Sequence, residues 1–186
     1  AESSVDMDKV SAVAQSLGIA PSGIFLAAAY YTVSRYTNSP DVCLCTISNG
    51  RSNLRISDTV GMFVNTLPIS AHIKNQTVGE FIQETAKTFK DTTDHENYPF
   101  SHIAGDYGYT AGITYAYQLG LIGDNKIDGK EILWNQFGLD KPMFRIAIFI
   151  EMHNGKPSVV LQYDDSLYTE SLIRSLAESI VSTASN

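Results

Sequence analysis

Residues 60–68 read Val-Gly-Met-Phe-Val-Asn-Thr-Leu-Pro, and the interpretation of the whole chain starts from this stretch. Its valine, phenylalanine and threonine residues favour extended backbone, so we predict a strand from Gly61 to Ile69. Asn49-Gly50-Arg51 lies upstream of it, inside a polar stretch from Ser48 to Thr59 that predicts a loop. The sequence thus predicts a strand entered from a turn-rich loop that carries an arginine.

Two helices and a strand are predicted on the N-terminal side of this stretch. The first helix is indicated by apolar residues at helical spacing, Val10, Val13, Ala14 and Leu17, followed by Gly18 as a stop signal. A second helix is predicted from Pro21 to about Arg35, and its apolar run over residues 24–31 is typical of a helix buried on all sides. The β-rich residues 42–47 predict a short buried strand.

A third helix is predicted after the loop and strand, because Thr77 and Glu80 have the spacing of a capping box. Its predicted apolar face carries Val78, Phe81, Ile82, Thr85 and Phe89. Asn97-Tyr98-Pro99 is predicted to end this region, since proline cannot continue a helix.

The rest of the chain predicts strands and one more helix. Residues 113–122 predict a strand, and Asp128-Gly129 predicts a hairpin turn. Asn154-Gly155 predicts a second hairpin, between strands at 144–152 and 158–163. An amphipathic helix follows Thr169, the predicted N-cap. We therefore predict a two-layer α/β fold, a mixed sheet covered by helices, with residues 1–186 forming a single domain.

Composition argues against several classes of function. The chain has 186 residues with 20 acidic and 13 basic side chains, a net charge of −7, so we expect no nucleic-acid partner. No apolar run approaches the ~18 residues of a membrane span, and no signal peptide is visible. We interpret Cys43 and Cys45 as small buried apolar residues in a reducing cytosol, and predict a cytoplasmic location.

No self-sufficient active site is visible in the sequence. His95 and His102 flank a proline without the spacing of a zinc site, so we predict a surface turn that anchors Phe100. The stretch from Asp124 to Gly129 departs from a calcium loop at Lys126 and is explained by the hairpin turn. No Gly-x-Ser-x-Gly elbow or phosphate-binding loop is present. We therefore assign no catalytic residue, no bound cofactor and no metal site to this chain.

Several motifs occur in the order of a known family. Asn49-Gly50-Arg51 precedes Gly61-Met62-Phe63-Val64-Asn65-Thr66, the segment His95-Glu96-Asn97-Tyr98-Pro99-Phe100 follows, and Tyr163-Asp164-Asp165-Ser166-Leu167-Tyr168 stands before the last helix. This order resembles the condensation domains of nonribosomal peptide synthetases, with their Gly-x-Phe-Val-Asn-Thr and His-Gln-Asp-Tyr-Pro-Phe motifs. The family's catalytic His-His-x-x-x-Asp-Gly motif has no counterpart among the four histidines of this chain.

The resemblance implies that the chain is the C-terminal lobe, half of a condensation domain, with one lobe of a chloramphenicol acetyltransferase-like fold. In this family an amine attacks an acyl thioester in a tunnel between two lobes, and phosphopantetheine arms of carrier proteins deliver both substrates. The implied partners are the N-terminal lobe and peptidyl or acyl carrier proteins. The implied enzyme forms peptide bonds, its catalytic histidine lies outside this chain, and the chain alone is inactive. Ala1-Glu2 opens the chain without an initiator methionine, and we interpret this as a fragment.

Arg51 and Asn65 are the polar residues that the resemblance points to near the tunnel. For Asn65 the alternatives are a buried amide that ties down neighbouring backbone, which we favour, and contact with substrate. For Arg51 the alternatives are a hydrogen bond or ion pair from the loop to the core and a place in the tunnel. We interpret Phe63 and Phe100 as core residues.

The chain also departs from the family pattern. Residues 106–112 stand where the family's Arg-Asp-x-Ser-Arg-Asn-Pro-Leu motif is expected and lack its arginines. Two alternatives therefore remain open. One is a lobe of a stand-alone acyltransferase of the same superfamily, and the other is a degenerate, non-catalytic module that docks carrier proteins.

Overall fold

A computed structural model describes residues 2–52, 55–56, 58–119, 126–128, 130–131, 142–153 and 155–186. Within these residues the helices are α1 Met7–Leu17, α2 Pro21–Thr37, α3 Val78–Thr93, α4 Phe100–Tyr107 and α5 Glu170–Ser185. The strands are β1 Glu2–Ser4, β2 Asp41–Ser48, β3 Asn65–His72, β4 Ile113–Tyr117, β5 Lys126–Ile127, β6 Lys130–Glu131, β7 Ile146–His153 and β8 Lys156–Tyr163.

The main sheet is mixed and has the strand order β1-β8-β7-β4-β2-β3. The central pairs β2–β4 and β4–β7 are parallel, whereas β1–β8, β7–β8 and β2–β3 are antiparallel. Strands β5 and β6 form a separate small hairpin. Parallel neighbours need crossover connections, which the chain makes by running through other strands and helices before it returns to the sheet.

Helices cover one face of this sheet. Helix α2 contacts α1, α3, α5 and β2, while α3 packs on β3 and α5 packs on β1 and β8. The apolar run of α2 is buried from Ile24 to Tyr30, and side chains of β4, β7 and β8 close the core beneath it. The two-layer α/β fold with a mixed sheet is therefore confirmed.

The helix ends follow the signals in the sequence. Asp6 caps α1 through its carboxylate, and Gly18 ends this helix in the left-handed conformation at φ +67°. Thr77 and Glu80 form the predicted capping box of α3, in which both reciprocal hydrogen bonds are present. Thr169 accepts a hydrogen bond from the backbone N–H of Leu172 and caps α5.

The strand predicted from Gly61 begins four residues later, at Asn65. The β2–β3 ladder ends at the pair Ser48–Asn65, because the turn at Gly50 carries the chain away from β2. The carbonyl oxygen of Gly61 accepts from Arg51 instead of joining the ladder. The prediction for residues 61–64 was therefore wrong.

Two further predictions need correction around α3 and α4. Val78 lies in the first turn of α3 and is 76% exposed, so it is not part of the buried face, whereas Ile82 and Thr85 are buried. Pro99 does end the preceding region, but it also serves as the N-cap of α4, a helix that the sequence reasoning missed. Proline fits there because its fixed φ and missing N–H suit the start of a helix.

The C-terminal hairpin is confirmed, with strands at Ile146–His153 and Lys156–Tyr163; the first starts two residues later than predicted and the second two residues earlier. Gly155 adopts φ +75° in its turn. The strand predicted over residues 113–122 is observed from Ile113 to Tyr117. Residues 120–122, Asp124, Asn125, Gly129 and Asn154 lie outside the described residues.

In the described part of the chain, no single helix is long and apolar enough to cross a membrane. Helices α1 and α2 meet that requirement only jointly, across a bend of 102°. Most of α2 from Gly23 to Ser34 is buried in the core of the protein.

Candidate functional site around Arg51, Asn65 and Glu96

The Asn49-Gly50-Arg51 turn is shaped by its own side chains and by the segment that follows Gly61. The Asn49 side-chain oxygen accepts from the backbone N–H of Arg51 at 2.9 Å, and Ser48 Oγ accepts from the N–H of Gly50 at 3.0 Å. Gly50 has φ +65°, and a Cβ atom at this position would lie 2.1 Å from the carbonyl oxygen of Phe63. Only glycine fits both the conformation and this close approach of two backbone segments.

The guanidinium of Arg51 binds the loop that leads into β3. It donates to the carbonyl oxygens of Ile56 at 3.0 Å, Thr59 at 2.7 Å and Gly61 at 3.0 Å. Its central carbon lies 4.7 Å from the centroid of the Phe63 ring, in cation–π contact. A planar group with five donors can satisfy several carbonyls at once, so Arg51 holds this loop in one conformation.

The side chain of Asn65 joins β3 to the segment before α4. Its Nδ2 donates to the carbonyl oxygens of Glu96 at 2.8 Å and Tyr98 at 2.7 Å, and its Oδ1 accepts from the N–H of Phe100 at 3.3 Å. Two carbonyl acceptors and one N–H donor fix the orientation of the amide. Asn65 therefore positions the stretch from Glu96 to Phe100 against the first residue of β3.

Glu96 is a buried carboxylate that the sequence reasoning missed. It is 6% exposed, and its carboxylate accepts from Ser48 Oγ and from the backbone N–H of Ser52 at 3.2 Å. These hydrogen bonds, that of Ser48 foremost, lower the pKa of the Glu96 carboxyl. Its place between Asn65 and the Arg51 loop makes it the link between the two predicted site residues. The feature of the sequence that could have identified Glu96 is the position of this acidic residue, two places before Tyr98-Pro99.

Phe63 and Phe100 are half-buried and lie outside the main core cluster, so their interpretation as core residues was wrong. Each has a local role. Phe63 stacks under Arg51, and the ring of Phe100 meets that of Tyr109 edge-on with centroids 6.1 Å apart. Both aromatic rings therefore pack on the loops around the site and not between the helices and the sheet.

The histidines do not combine into a catalytic or metal group. The ring of His102 packs edge-on against Tyr98, with centroids 5.8 Å apart. Within the described residues, no group of three or more histidine, cysteine or acidic side chains is placed to hold a metal ion. The chemical role of this arrangement is to form hydrogen bonds to backbone. Arg51 fixes residues 56–61 and Asn65 fixes residues 96–100, both beside the start of β3.

The two cysteines differ in exposure, which corrects the expectation that both are buried. Cys45 is buried, Cys43 is exposed, and both are free thiols. They lie on the same side of β2, and both sulfurs contact the hydroxyl of Tyr109, at 3.2 Å for Cys43 and 3.4 Å for Cys45. Burial raises the pKa of both thiols, so neither is activated as a nucleophile.

Comparison with known protein sequences identifies relatives among peptide synthetases. The family model described as "Condensation domain" matches residues 3–186. Surfactin synthase subunit 1 of Bacillus subtilis (strain 168) is 33% identical over 100 residues, which are 53% of this chain and 3% of that protein. Gramicidin S synthase 2 of Aneurinibacillus migulanus is 25% identical over 190 residues, 94% of this chain and 4% of that protein.

Solved structures show the same fold. The condensation domain of the Monacolin K polyketide synthase MokA aligns over 100% of this chain and 46% of its own length, with a TM-score of 0.79 and 16% identity. A four-domain nonribosomal peptide synthetase aligns over 100% of this chain and 16% of its own length, with a TM-score of 0.82 and 18% identity. At such identities the likeness concerns the fold.

The family match covers nearly all of the chain, and the motifs around Arg51, Asn65 and Pro99 occur in the order that the family resemblance requires. The fold of solved condensation domains agrees with it. The chain belongs to the condensation-domain family.

Proposed function

We propose that residues 1–186 form a single domain, the C-terminal lobe of a nonribosomal peptide synthetase condensation domain. One observation carries this proposal. The whole chain aligns with the MokA condensation domain yet accounts for 46% of it, the share expected of one of two lobes of similar size. The matched relatives are synthetases, and the chain spans 2 to 5% of their length.

The proposed reaction joins two carrier-bound substrates. The amine of an acceptor aminoacyl group attacks the thioester carbonyl of a donor, a C–N bond forms, the C–S bond breaks, and the phosphopantetheine thiol of the donor carrier leaves. A histidine on the N-terminal lobe positions or deprotonates the amine. The described residues of this chain offer hydrogen bonds to backbone at the site, so we assign the chain no acid–base step and expect it to be inactive alone.

Exposed apolar side chains support a partner lobe on one side of the site. Val60, Met62 and Val64 occupy alternate positions before β3 and are 99%, 86% and 54% exposed. Ile47, in the strand beside β3, is also exposed. Several exposed apolar side chains within one short stretch are typical of an interaction site. We assign it to the N-terminal lobe, with the substrate tunnel between the two lobes and carrier proteins at the tunnel ends.

In this proposal Arg51 and Asn65 are positioning residues of the tunnel wall. Neither has to touch substrate, because each already binds backbone carbonyls of neighbouring loops. They would act by keeping residues 56–61 and 96–100 where the tunnel and the partner lobe need them. The phosphopantetheine arms belong to the carrier proteins, and no cofactor is assigned to the chain itself. A cytoplasmic location remains a prediction.

The experiment is acyl transfer between two loaded carrier proteins, followed by mass spectrometry, with the full-length polypeptide that contains this chain. We expect an amide product that requires the upstream histidine, is reduced by Asn65→Ala, and is unaffected by Asn75→Ala at an exposed position in the β3–α3 loop. An amide product formed equally well without that histidine would overturn the proposal.

Two alternatives give different results in the same assay. An ester product would indicate an acyltransferase that acts on an alcohol. Carrier binding without any product would indicate a degenerate docking module, an alternative favoured by residues 106–112, which lack the arginines of the family motif.

A further inference from the structure

A cleft opens on the helix-covered side of the sheet, away from the Arg51 and Asn65 loops. Its volume is about 490 Å³, and it lies between the start of α2, the part of α3 from Gln83 to Lys90, and Tyr115 of β4. Ile19, Leu26, Ala86, Phe89 and Tyr115 supply its apolar lining. Ligand sites in proteins commonly have volumes of roughly 300–1,000 Å³ and mainly apolar walls, so the cleft has the size and character of one.

Small residues bring the walls of the cleft together without filling it. A Cβ atom on Gly23 would lie 3.3 Å from the Cβ of Ala86, so α2 and α3 approach closely there. Tyr115 forms part of the floor, and its hydroxyl already donates to the carbonyl oxygen of Ser22 at 2.7 Å. The polar end of this buried ring is satisfied, and the cleft interior is left for apolar groups.

The rim of the cleft carries cationic side chains. Lys87 and Lys90 both line it and both are exposed. Lys87 is paired with Asp91 one helical turn further on. Within the described residues, the ammonium of Lys90 has no hydrogen-bond or ion-pair partner. The cleft thus combines an apolar interior with one unpaired positive charge at its mouth.

We propose that this cleft binds a linear alkyl chain that ends in a carboxylate. The alkyl chain of the ligand would lie against Leu26, Phe89 and Tyr115, where it is removed from water. The carboxylate would remain at the rim and accept a charge-assisted hydrogen bond from Lys90. An alkyl ammonium would place a second positive charge beside Lys90, and the repulsion between the two charges disfavours its binding in the cleft. The site is distinct from the tunnel wall proposed above, and its test does not depend on acyl transfer.

The test uses decanoate as the probe, below its critical micelle concentration, with the ¹⁵N-labelled 186-residue chain. We expect saturable shifts of the amide signals of Gly23 and Ala86, and no saturation with decylammonium. Lys90→Glu should weaken decanoate binding about tenfold or more, as expected when a charge-assisted hydrogen bond is lost. Lys156→Glu makes the same charge change at an exposed position, the first residue of β8, and should leave the affinity unchanged.

A second variant tests the cavity independently of charge. Ala20 is exposed and lines the mouth, so Ala20→Leu should narrow the cleft and weaken decanoate binding while the protein remains folded. No saturable binding of decanoate would overturn the proposal. So would equal binding of decylammonium, or equal affinity of Lys90→Glu, Ala20→Leu and the original protein.

Discussion

The side-chain amide of Asn65 donates to the backbone carbonyl of Glu96 at 2.8 Å, across 31 positions of the chain. The carboxylate of Glu96 in turn accepts from Ser48, the last residue of β2, and from Ser52, on the loop that Arg51 stabilises. One buried acid therefore connects the strand that contains Asn65 with both of the loops around it. The side chains of Asn65, Glu96 and Arg51 thus connect the surrounding backbone segments through hydrogen bonds, and the first three predictions follow from this network.

Asn65→Ala should destabilise the protein by about 2–3 kcal/mol, because three hydrogen bonds are lost and partly buried carbonyls of residues 96 and 98 lose their donor. The free energy of unfolding in urea measures this effect. Asn75→Ala removes the same side chain at an exposed position and should change stability by less than about 0.5 kcal/mol. Equal effects of the two substitutions would contradict the claim that the hydrogen bonds of Asn65 stabilise the fold.

Gly50→Ala should be more destabilising than a left-handed conformation alone explains. Gly108 also has a positive φ, +61°, but a Cβ atom there would meet nothing within 4 Å. Gly108→Ala should therefore cost only about 1–2 kcal/mol, the penalty for the left-handed conformation. Gly50→Ala adds a collision with the carbonyl oxygen of Phe63 and should cost clearly more. If thermal or urea unfolding finds the same loss for both, the close approach at Gly50 is not a constraint on the fold.

The contribution of Glu96 to stability should depend on pH. Its folded pKa lies below that of the unfolded chain, so the stabilisation is fully present above about pH 4.3 and is lost as the pH falls through the lowered folded value. Glu96→Gln should cost about 1.5–3 kcal/mol at pH 7 and less at pH 3. Urea unfolding at both pH values measures the difference, with Glu178→Gln on the exposed side of α5 as the control. A loss that stays constant down to pH 3 would show that the ionised carboxylate is not what stabilises this link.

The exposed apolar residues before β3 should cause self-association when the partner lobe is absent. Sedimentation velocity should show a coefficient that rises with protein concentration, because apolar surface is buried between copies. The double substitution of Val60 and Met62 by serine should suppress this rise. Val78→Ser, at an exposed apolar position on α3, should leave it unchanged. A strictly monomeric profile at high concentration would count against the interface.

Local signals in the sequence predicted the elements that depend on local chemistry. The capping box at Thr77, the glycine stop at Gly18 and the apolar run of α2 each act through residues a few positions apart, and all three were predicted correctly. The mixed sheet also followed from the predicted order of elements, two helices, two strands, a helix, hairpins and a last helix, which favours a sheet covered by helices.

The site needed information that local patterns lack. The motif resemblance identified Asn65 and Arg51, but not that Glu96 connects them, since this contact joins residues 31 to 48 positions apart. The start of β3 was placed too early because the side chains of residues 61–64 favour a strand, whereas the carbonyl oxygen of Gly61 binds Arg51 and the backbone of Phe63 lies against Gly50. Tertiary contacts outweighed β propensity at that point.

The pairing of β1 with β8 has a consequence for synthesis on the ribosome. Ser3 lies opposite Val159, so β1 is synthesised long before its partner β8, the last strand among the described residues. Domains fold as units while the chain emerges, and contacts between distant residues form slowly. Until residues 156–163 have left the exit tunnel, β1 has no partner strand and β7 is paired only with β4. Helix α5, which packs on both β1 and β8, has no complete surface to pack on before that point. The nascent polypeptide therefore carries open strand edges from the synthesis of β1 until that of β8, and in this interval it offers a chaperone the most unpaired backbone to bind.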